Sequence, residues 1–363
     1  MVLTARNLVY YLIERGLVSP DSVVDGGLMI TESSFRNRGF KVFRRAQPGY
    51  FVKQLRTWDE RSTAAWKCEV ECYLRSRDDP GFHALADLIP RYYSHDAARY
   101  VLVVELLQDA ETLADRQERS EAFSTEVAAT LGRALSGYHS AVAATMRNGA
   151  RPPVFPGKIP WILSFHEMGE EVASGMSAAN WRMLQILRED PEFPGALAAA
   201  RNKWQPSTLI HGDIKWDNTL VSRTGEHTAV RLVDWELADF GDPCWDAGAV
   251  LQTYLSAWIF SMDPAAATSP DQLVSSARRP LSRMQPAIQA FWNSYAAGMG
   301  ADGGKESELL ERSMIYCAAR MIQTAYEQMH YASALTAPGV SLLQTTLNIL
   351  TNPRQAIEHL LGM

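Results

Sequence analysis

Side chains with the chemistry of a metal and proton-transfer site crowd one short stretch of the sequence. After an apolar pair at 209–210, the chain presents these polar side chains: His211, Asp213, Lys215, Asp217, Asn218. A further acid, Asp234, follows a second apolar run at 229–233. Carboxylate and amide oxygens are the ligands that Mg²⁺ prefers, and open positions on such an ion can take phosphate oxygens. The spacing therefore indicates metal-assisted phosphate chemistry.

A hairpin of apolar strands must bring these groups together. Residues 219–221 and 229–233 are predicted strands joined by a turn at 223–226, which places Asp213, Asn218 and Asp234 at one end. Any one of these residues alone is better explained as part of a turn or as a solvated loop acid. Together with a lysine-bearing strand upstream, the arrangement favours a functional site over those separate explanations.

The part of the chain before residue 60 has the pattern of an antiparallel sheet. Three stretches alternate between polar and apolar residues: 28–32, 40–44, 50–54. The loop after the first stretch carries Ser33 and Ser34, and its hydroxyl and N–H groups could cover phosphates. The loop has no Gly-x-Gly-x-x-Gly pattern, so a plain hairpin loop explains it equally well.

A lysine on an apolar strand face calls for a charged partner. Lys53 shares its face with Phe51 and Leu55, where an unpaired ammonium group would be costly. Phosphates together with a carboxylate would satisfy it. The helix predicted over 62–77 offers Glu69 and Glu71, and we favour Glu69 because its position fits the inward side of the helix. Glu71 stays open, as does a surface role for either acid.

Most of the remaining chain has a helical pattern. A helix capped by Thr4 is predicted over 5–16, and Asp246 is placed to cap a helix at 247–258 and to brace the polar loop before it. The stretch 262–282, rich in Pro, Ser and Ala, predicts a mobile insertion. Further helices are predicted over 120–147, 161–204, 283–299, 306–332, 341–361.

Composition and charge exclude several classes of function. With 363 residues, 47% hydrophobic content and a net charge of −6, the chain suits a soluble globular protein rather than a general binder of nucleic acid or anionic membranes. No run of about 18 apolar residues predicts a membrane span. The start lacks a signal-peptide pattern, so we expect a cytoplasmic protein. Cys68 and Cys72 lack further ligands and are interpreted as buried apolar residues.

The motifs, taken in chain order, resemble the aminoglycoside phosphotransferase and choline kinase-like family over roughly residues 24–255. This resemblance implies an α+β, two-lobed protein-kinase-like fold, with a small antiparallel-sheet N-lobe (1–107) and a large, mainly helical C-lobe (108–363). It rests on the following residues: Asn37-Arg38-Gly39-Phe40-Lys41-Val42, Lys53, Glu69, Glu105, His211-Gly212-Asp213-x4-Asn218, Asp234-Trp235-Glu236, Gly241-Asp242-Pro243-x2-Asp246.

The resemblance also implies ATP and Mg²⁺ as cofactors. Asp213 would hold and deprotonate the acceptor hydroxyl. The loop at 211–218 also resembles the Ser/Thr protein-kinase loop, which has a Lys two residues after its Asp, and this implies that Lys215 would stabilise the moving phosphoryl group. Asn218 and Asp234 would bind Mg²⁺.

The nucleotide would lie against the N-lobe. Lys53, oriented by Glu69, would bind the α- and β-phosphates. Ser33 and Ser34 would cover the nucleotide. The strand predicted over 100–107 resembles the edge strand that leads into the hinge between the lobes. Adenine would bond there to the carbonyl of Glu105 and the N–H of Leu107.

The acceptor is less determined by the sequence. Residues 219–363 hold 14 acidic and 9 basic residues, and five of these acids belong to the metal strand and the residues after it. The acceptor helices are thus close to neutral, which counts against a polycationic aminoglycoside. A choline-type acceptor needs an aromatic cage. Four residues are candidates for one, although core positions explain them as well: Trp258, Phe260, Trp292, Tyr295.

A peptide acceptor is favoured by a finer resemblance. The segments 37–42 and 48–54 resemble a subgroup of kinases that phosphorylate Ser/Thr of ribosomal precursor peptides in class V lanthipeptide and thioamitide pathways. In that subgroup, a partner lyase then eliminates the phosphate to give dehydroamino acids. A small-molecule kinase is the alternative, and a nucleotide-binding pseudokinase scaffold is the second alternative.

Overall fold

A five-stranded antiparallel sheet forms the N-terminal lobe. The computed structural model describes residues 2–33, 37–45, 47–120, 122–148, 151–169, 175–225 and 227–363. The strands pair in the order β1-β2-β3-β5-β4. Their bounds are β1 (Leu28–Glu32), β2 (Arg38–Arg44), β3 (Gln47–Gln54), β4 (Tyr92–Asp96), β5 (Val101–Leu106). The three strands predicted before residue 60 are confirmed.

One predicted strand has a different position in the sheet. The strand at 100–107, expected at an edge, is β5 and lies between β3 and β4. The edge strand β4 was not predicted because all its residues are half-buried and polar or aromatic, so it lacks the alternation of buried and exposed side chains.

Two short helices, α1 (Leu8–Glu14) and α2 (Pro20–Val24), precede the sheet. Leu8 and Leu12 of α1 belong to the same buried cluster as Val42 and Val52 of the sheet. The regular helix begins at Leu8, and Asn7 makes no side-chain cap for it. The expected cap at Thr4 is confirmed one turn earlier: the Thr4 hydroxyl accepts the N–H of Asn7 at 3.3 Å, and the side-chain oxygen of Asn7 accepts the N–H of Thr4 at 2.7 Å.

The other face of the sheet packs against α3 (Glu60–Asp78), which confirms the helix predicted over 62–77. Val52 packs in the cluster beneath α1, whereas Lys53 points to the opposite face and contacts Glu69 of α3. The alternation along β3 therefore directs a lysine, rather than an apolar side chain, into the space between the sheet and α3.

Helices build the C-terminal lobe around two small sheets. The sheets are β7 (Thr208–Ile210) with β10 (Asp239–Gly241), and β6 (Glu111–Thr112) with β8 (Thr219–Thr224) and β9 (His227–Leu232). The longer helices are α4 (Leu113–Arg119), α5 (Thr125–Asn148), α6 (Ala178–Glu189), α7 (Phe193–Asn202), α8 (Pro243–Phe260), α9 (Pro270–Ser275), α10 (Leu281–Gly298), α11 (Gly303–Gln328), α12 (Ala337–Thr351) and the short α13 (Pro353–Ala356).

The predicted insertion at 262–282 contains α9, and its end is tied to α8. The backbone N–H of Arg278 donates to the carbonyl of Ser261 at 3.1 Å, and the N–H of Arg279 donates to the Ser261 hydroxyl at 3.0 Å. None of the described helices has both the length and the apolar character needed to cross a membrane. All four cysteines are buried free thiols, as predicted for Cys68 and Cys72.

A buried carboxylate joins α5, α8 and the polar loop after β7. Asp246 accepts hydrogen bonds from the His211 N–H at 2.7 Å, the Gly212 N–H at 3.0 Å and the Tyr138 hydroxyl at 2.7 Å. The Nε2 of His139 lies 3.3 Å from the same carboxylate. Burial alone would raise the pKa of Asp246, but the His139 contact and the other donors hold it below its usual value. The predicted bracing role is confirmed.

The predicted cap for α8 is wrong. Asp242, not Asp246, precedes the helix and accepts the N–H of Cys244 at 3.0 Å. Asp246 lies one turn further on and faces the core. Spacing along the chain could not separate the two acids, because both lie within a turn of the helix start.

We expect Asp246→Asn to lower the free energy of unfolding by about 3 kcal/mol, because an amide turns an N–H group towards donors that need an acceptor. Chemical denaturation would measure the change. Asp87→Asn, at an exposed acid, is the matched control and should stay within about 0.5 kcal/mol of wild type. Equal stability of the two variants would contradict the role of Asp246.

Candidate active site

The loop after β7 is held in place by His211. Its Nδ1 accepts the N–H of Asp213 at 3.2 Å, so its Nε2 carries the proton and donates to the Val233 carbonyl at 3.0 Å. Burial lowers the pKa of His211, in keeping with a neutral ring. Gly212 has φ +80°, and an added Cβ would lie 2.4 Å from the Leu237 carbonyl oxygen. The loop therefore requires glycine there.

Asp213 lies between two cations. One carboxylate oxygen is 2.7 Å from Lys215 Nζ, and the other is 3.2 Å from Arg320 Nη2. Burial would raise the pKa of Asp213, but the positive charges of Arg320 and Lys215 outweigh it and hold the pKa well below its usual range. Asp213 is therefore ionised, and its carboxylate is already oriented.

Arg320 was not predicted as a site residue. It lies on α11, is buried, and also donates to the Gly212 carbonyl at 3.3 Å. The signal in the sequence was the same as for Lys53: a single cation inside an apolar run, here at 314–322. Nothing in the spacing of this run pointed to a partner more than a hundred residues away.

A second charged cluster surrounds Lys53. Its ammonium group lies 2.7 Å from Glu69, 2.5 Å from Asp234 and 3.2 Å from Glu236. Burial would lower the pKa of Lys53, but these carboxylates raise it well above its usual value. The choice between the two acids of α3 is resolved, since Glu71 pairs instead with Arg75 of the same helix at 2.8 Å.

The Lys53 cluster carries more negative than positive charge. Burial raises the pKa of Glu69 to about 7. The nearby carboxylates also raise this pKa, whereas the positive charge of Lys53 lowers it. The oxygens of Glu69, Asp234 and Glu236 lie within 4.8 Å of one another. Carboxylates this close favour a further cation. Glu236 was predicted only as part of a motif and not as a site residue.

Asp234 and Asn218 are joined through the backbone. The N–H of Val233 donates to the Asn218 carbonyl at 3.0 Å, and Asp234 follows with φ +67°, a left-handed conformation that Asp tolerates. The amide nitrogen of Asn218 donates to the Asp213 carbonyl at 2.9 Å, which leaves its amide oxygen turned away from Asp213. An amide oxygen beside a partly exposed carboxylate is a suitable donor set for Mg²⁺.

The predicted residues face one cleft of about 1540 Å³ between the lobes. Ser34 lies outside the described residues. The apolar side chains of Phe51, Leu102 and Val104 line the same cleft on the N-lobe side. The predicted residues that line it are Ser33, Lys53, Glu69, Glu105, Leu107, Asp213, Lys215, Asn218, Asp234.

The proposed aromatic cage does not form among the described residues. Trp292 and Tyr295 are buried in the core, where Tyr295 contacts His139, and Trp258 is buried as well. Phe260 alone of the four candidates lines the cleft. The helical spacing of these aromatic residues reflects packing between helices rather than a cation site.

Comparisons with known proteins agree with this geometry. A model of the phosphotransferase enzyme family matches residues 37–275. The fold is similar to that of choline kinase LicA from Streptococcus pneumoniae, with a TM-score of 0.53 at 13% identity, covering 93% of this chain and 99% of that one. The predicted α+β fold of the two-lobed, protein-kinase-like type is confirmed. A comparison with curated proteins found no match.

Two further structures have the same fold. A choline/ethanolamine kinase family protein from Mesorhizobium loti has a TM-score of 0.51 at 17% identity, covering 96% of this chain and 97% of that one. A microcompartment-associated aminopropanol kinase has a TM-score of 0.53 at 15% identity, covering 91% and 93% respectively.

We expect Arg320→Met to raise the pKa of Asp213 towards or above the ordinary value of about 3.9, because burial then acts against fewer positive charges. Carbon NMR of the Asp213 carboxyl group during a pH titration would measure it. Arg320→Lys keeps the charge and should show a smaller rise. An unchanged pKa in Arg320→Met would show that the guanidinium does not control this carboxylate.

Proposed function

Since the chain belongs to the phosphotransferase enzyme family, we propose that it moves the γ-phosphate of ATP to a Ser or Thr hydroxyl of a peptide. The observation that supports this most strongly is the convergence of Lys53, Asp213, Asn218 and Asp234 on one cleft between the lobes. These are the group types that bind nucleotide phosphates, a metal ion and an acceptor hydroxyl in phosphoryl transfer.

The donor nucleotide would lie against β3 and β5. Lys53 would bind its phosphates, and Glu69 would hold the ammonium group in place at 2.7 Å. Asn218 and Asp234 would hold Mg²⁺, which supplies positive charge to the phosphate oxygens when bound. The apolar side chains of Phe51 and Leu102, on the same side of the cleft, suit the face of a base.

Asp213 would orient the acceptor hydroxyl and accept its proton. Its low pKa makes it a weak base, so the proton would move late, as the oxygen–phosphorus bond forms. Phosphoryl transfer asks mainly for alignment and charge neutralisation, and a fixed, ionised carboxylate provides the alignment. Lys215, half-exposed beside it, would contact the transferred phosphoryl group.

The shape of the acceptor side favours a peptide over a small cation. One face of α8 and one face of α11 line the cleft beyond Asp213, through residues spaced three or four apart: Gln252, Ser256, Phe260, Arg320, Thr324, Glu327. The floor is polar, with the Gln252 amide donating to Thr324 at 2.9 Å and to Ser256 at 2.7 Å. Such a groove suits an extended chain, and the described residues offer no aromatic cage.

The product would be a phosphopeptide. Phosphate esters of Ser and Thr have an acidic α-hydrogen and a good leaving group, so a partner lyase could eliminate phosphate to leave a dehydroamino acid. We propose such a lyase as the partner that consumes the product.

We expect Asp213→Asn to lower kcat for peptide phosphorylation about 10³-fold, because the amide cannot accept the proton. Transfer of label from γ-labelled ATP to a pooled Ser/Thr peptide library would measure it. ATP binding should stay within about twofold of wild type, since Asp213 would not contact the base or the α- and β-phosphates. Activity equal to that of the Asp87→Asn control would overturn the assignment.

We expect Glu69→Gln to lower kcat/KM for ATP at least about tenfold, because Lys53 loses its charged partner within α3. Glu71→Gln is the matched control, from the same helix but paired with Arg75, and should leave kcat/KM for ATP unchanged. Steady-state kinetics at varied ATP concentrations would measure kcat/KM for ATP in both variants. Equal losses in the two variants would point to a general weakening of α3 instead of a role at the nucleotide.

A further inference from the structure

The acceptor groove has an arginine pair at its far end. Arg278 and Arg279 line the cleft, and their backbone N–H groups are fixed to Ser261 at the end of α8. The side chain of Arg279 also donates to the Gln117 carbonyl of α4 at 3.2 Å. The pair is therefore held where the end of α8 and α4 approach each other.

No acidic side chain among the described residues lies within 4 Å of either arginine. The nearby Glu111 is already bound by Arg116 and Arg119 of its own segment. Asp115 and Glu118 line the cleft from α4 but form no ion pair with Arg278 or Arg279 in the described part of the chain. Cations held beside a substrate groove without a carboxylate partner are suited to an anionic group on the substrate.

This arrangement adds a local feature to the expectation of a nearly neutral acceptor side, since acidic residues also line this part of the cleft. The count of acidic and basic residues in the sequence included helices that do not face the cleft. The stretch 276–280 connects α9 to α10 and places both arginines beside each other at the groove.

We propose that Arg278 and Arg279 bind an Asp or Glu side chain of the peptide acceptor, at a fixed distance from the hydroxyl that is phosphorylated. This inference rests on the proposed peptide phosphorylation and names the class of peptide. A carboxylate can accept two parallel hydrogen bonds from a guanidinium group, which gives such a contact directional selectivity as well as attraction.

The helices set the distance between the two ends of the groove. Arg320, which contacts Asp213, and Thr324 are one turn of α11 apart, or about 6 Å. Thr324 contacts Gln252, and Ser261 lies about 13 Å further along α8. An extended peptide rises about 3.3 Å per residue, so the acidic residue should lie about five to seven residues from the phosphorylated Ser or Thr.

An oriented peptide library tests this without knowledge of the natural substrate. Its peptides carry one central Ser and eight degenerate positions on each side that exclude Ser, Thr, Tyr and Cys. After reaction with ATP and Mg²⁺, the phosphorylated peptides are isolated and sequenced. We expect Asp and Glu to be enriched at least about fivefold over Lys at one position, about five to seven residues from the Ser, on one side only.

Charge reversal separates recognition from folding. In the double variant Arg278→Glu/Arg279→Glu, the preference at that position should change from Asp and Glu to Lys and Arg. Loss of structure cannot produce this outcome. The single variant Arg278→Glu, at an exposed position, should reduce the acidic preference at least about threefold. Arg61→Glu, an exposed arginine on α3 outside the cleft, is the matched control and should keep the wild-type preference.

The outcomes distinguish this inference from the function on which it rests. Phosphorylation of the library without acidic enrichment, or an acidic preference that survives charge reversal, would overturn the arginine subsite and leave peptide phosphorylation intact. If small alcohols accept phosphate but no library peptide does, the peptide acceptor is wrong and the subsite proposal fails with it.

Discussion

The Asp246 carboxylate is the group on which the geometry of the active site depends. It is fully buried, and its donors come from α5 and from the loop that carries Asp213. A buried charge is tolerated only when its hydrogen bonds are complete, so any shift of the loop relative to the helices would leave it undersolvated. This requirement selects one position for the loop. The Asp213 carboxylate is thus placed by a second carboxylate, which is buried beneath the loop.

The junction of the lobes has a different electrostatic character. Lys53 from the sheet lies against Glu69 of its own lobe and Asp234 of the other lobe, with Glu236 also in contact. Asn37 adds a contact from its amide to Glu236 at 3.4 Å. One ammonium group among several carboxylates holds the lobes together while leaving negative charge uncompensated. The proposed nucleotide and metal ion would redistribute these contacts, and their binding would then be coupled to the relative position of the lobes.

The sequence was sufficient to predict the position of a site residue where the motif that contains it is local. Asp213 and Asn218 lie in the loop after one short apolar strand and Asp234 follows another, and a strand end predicts where its next polar side chains lie. Lys53 lies within β3, on an otherwise apolar face. Glu69 followed from the same reasoning, because a lysine on an apolar face requires a partner on the adjacent helix. The fold class was predicted from the family resemblance, which rests on these motifs and on their order along the chain.

Other features depend on contacts that spacing does not encode. Arg320 reaches Asp213 only because α11 packs against α8, and β4 pairs with β5 although its side chains show no alternation of buried and exposed positions. The aromatic residues of α10 looked suited to a cation but pack in the core. The count of acidic and basic residues in the sequence did not show which charges face the groove, since only the packing of helices shows which charges share a surface.

The groove between α8 and α11 also separates two tasks within one cleft. The groups suited to phosphate transfer come from the sheet and the loops at 211–218 and 234–236, whereas the proposed acceptor wall comes from helix faces and the stretch at 276–280. Exposed groove residues such as Phe260 and Glu327 can be exchanged at small energetic cost, unlike the buried donors around Asp246. The architecture is therefore evolvable: a lineage can acquire a new acceptor by changing a few groove residues while the transfer machinery stays as it is.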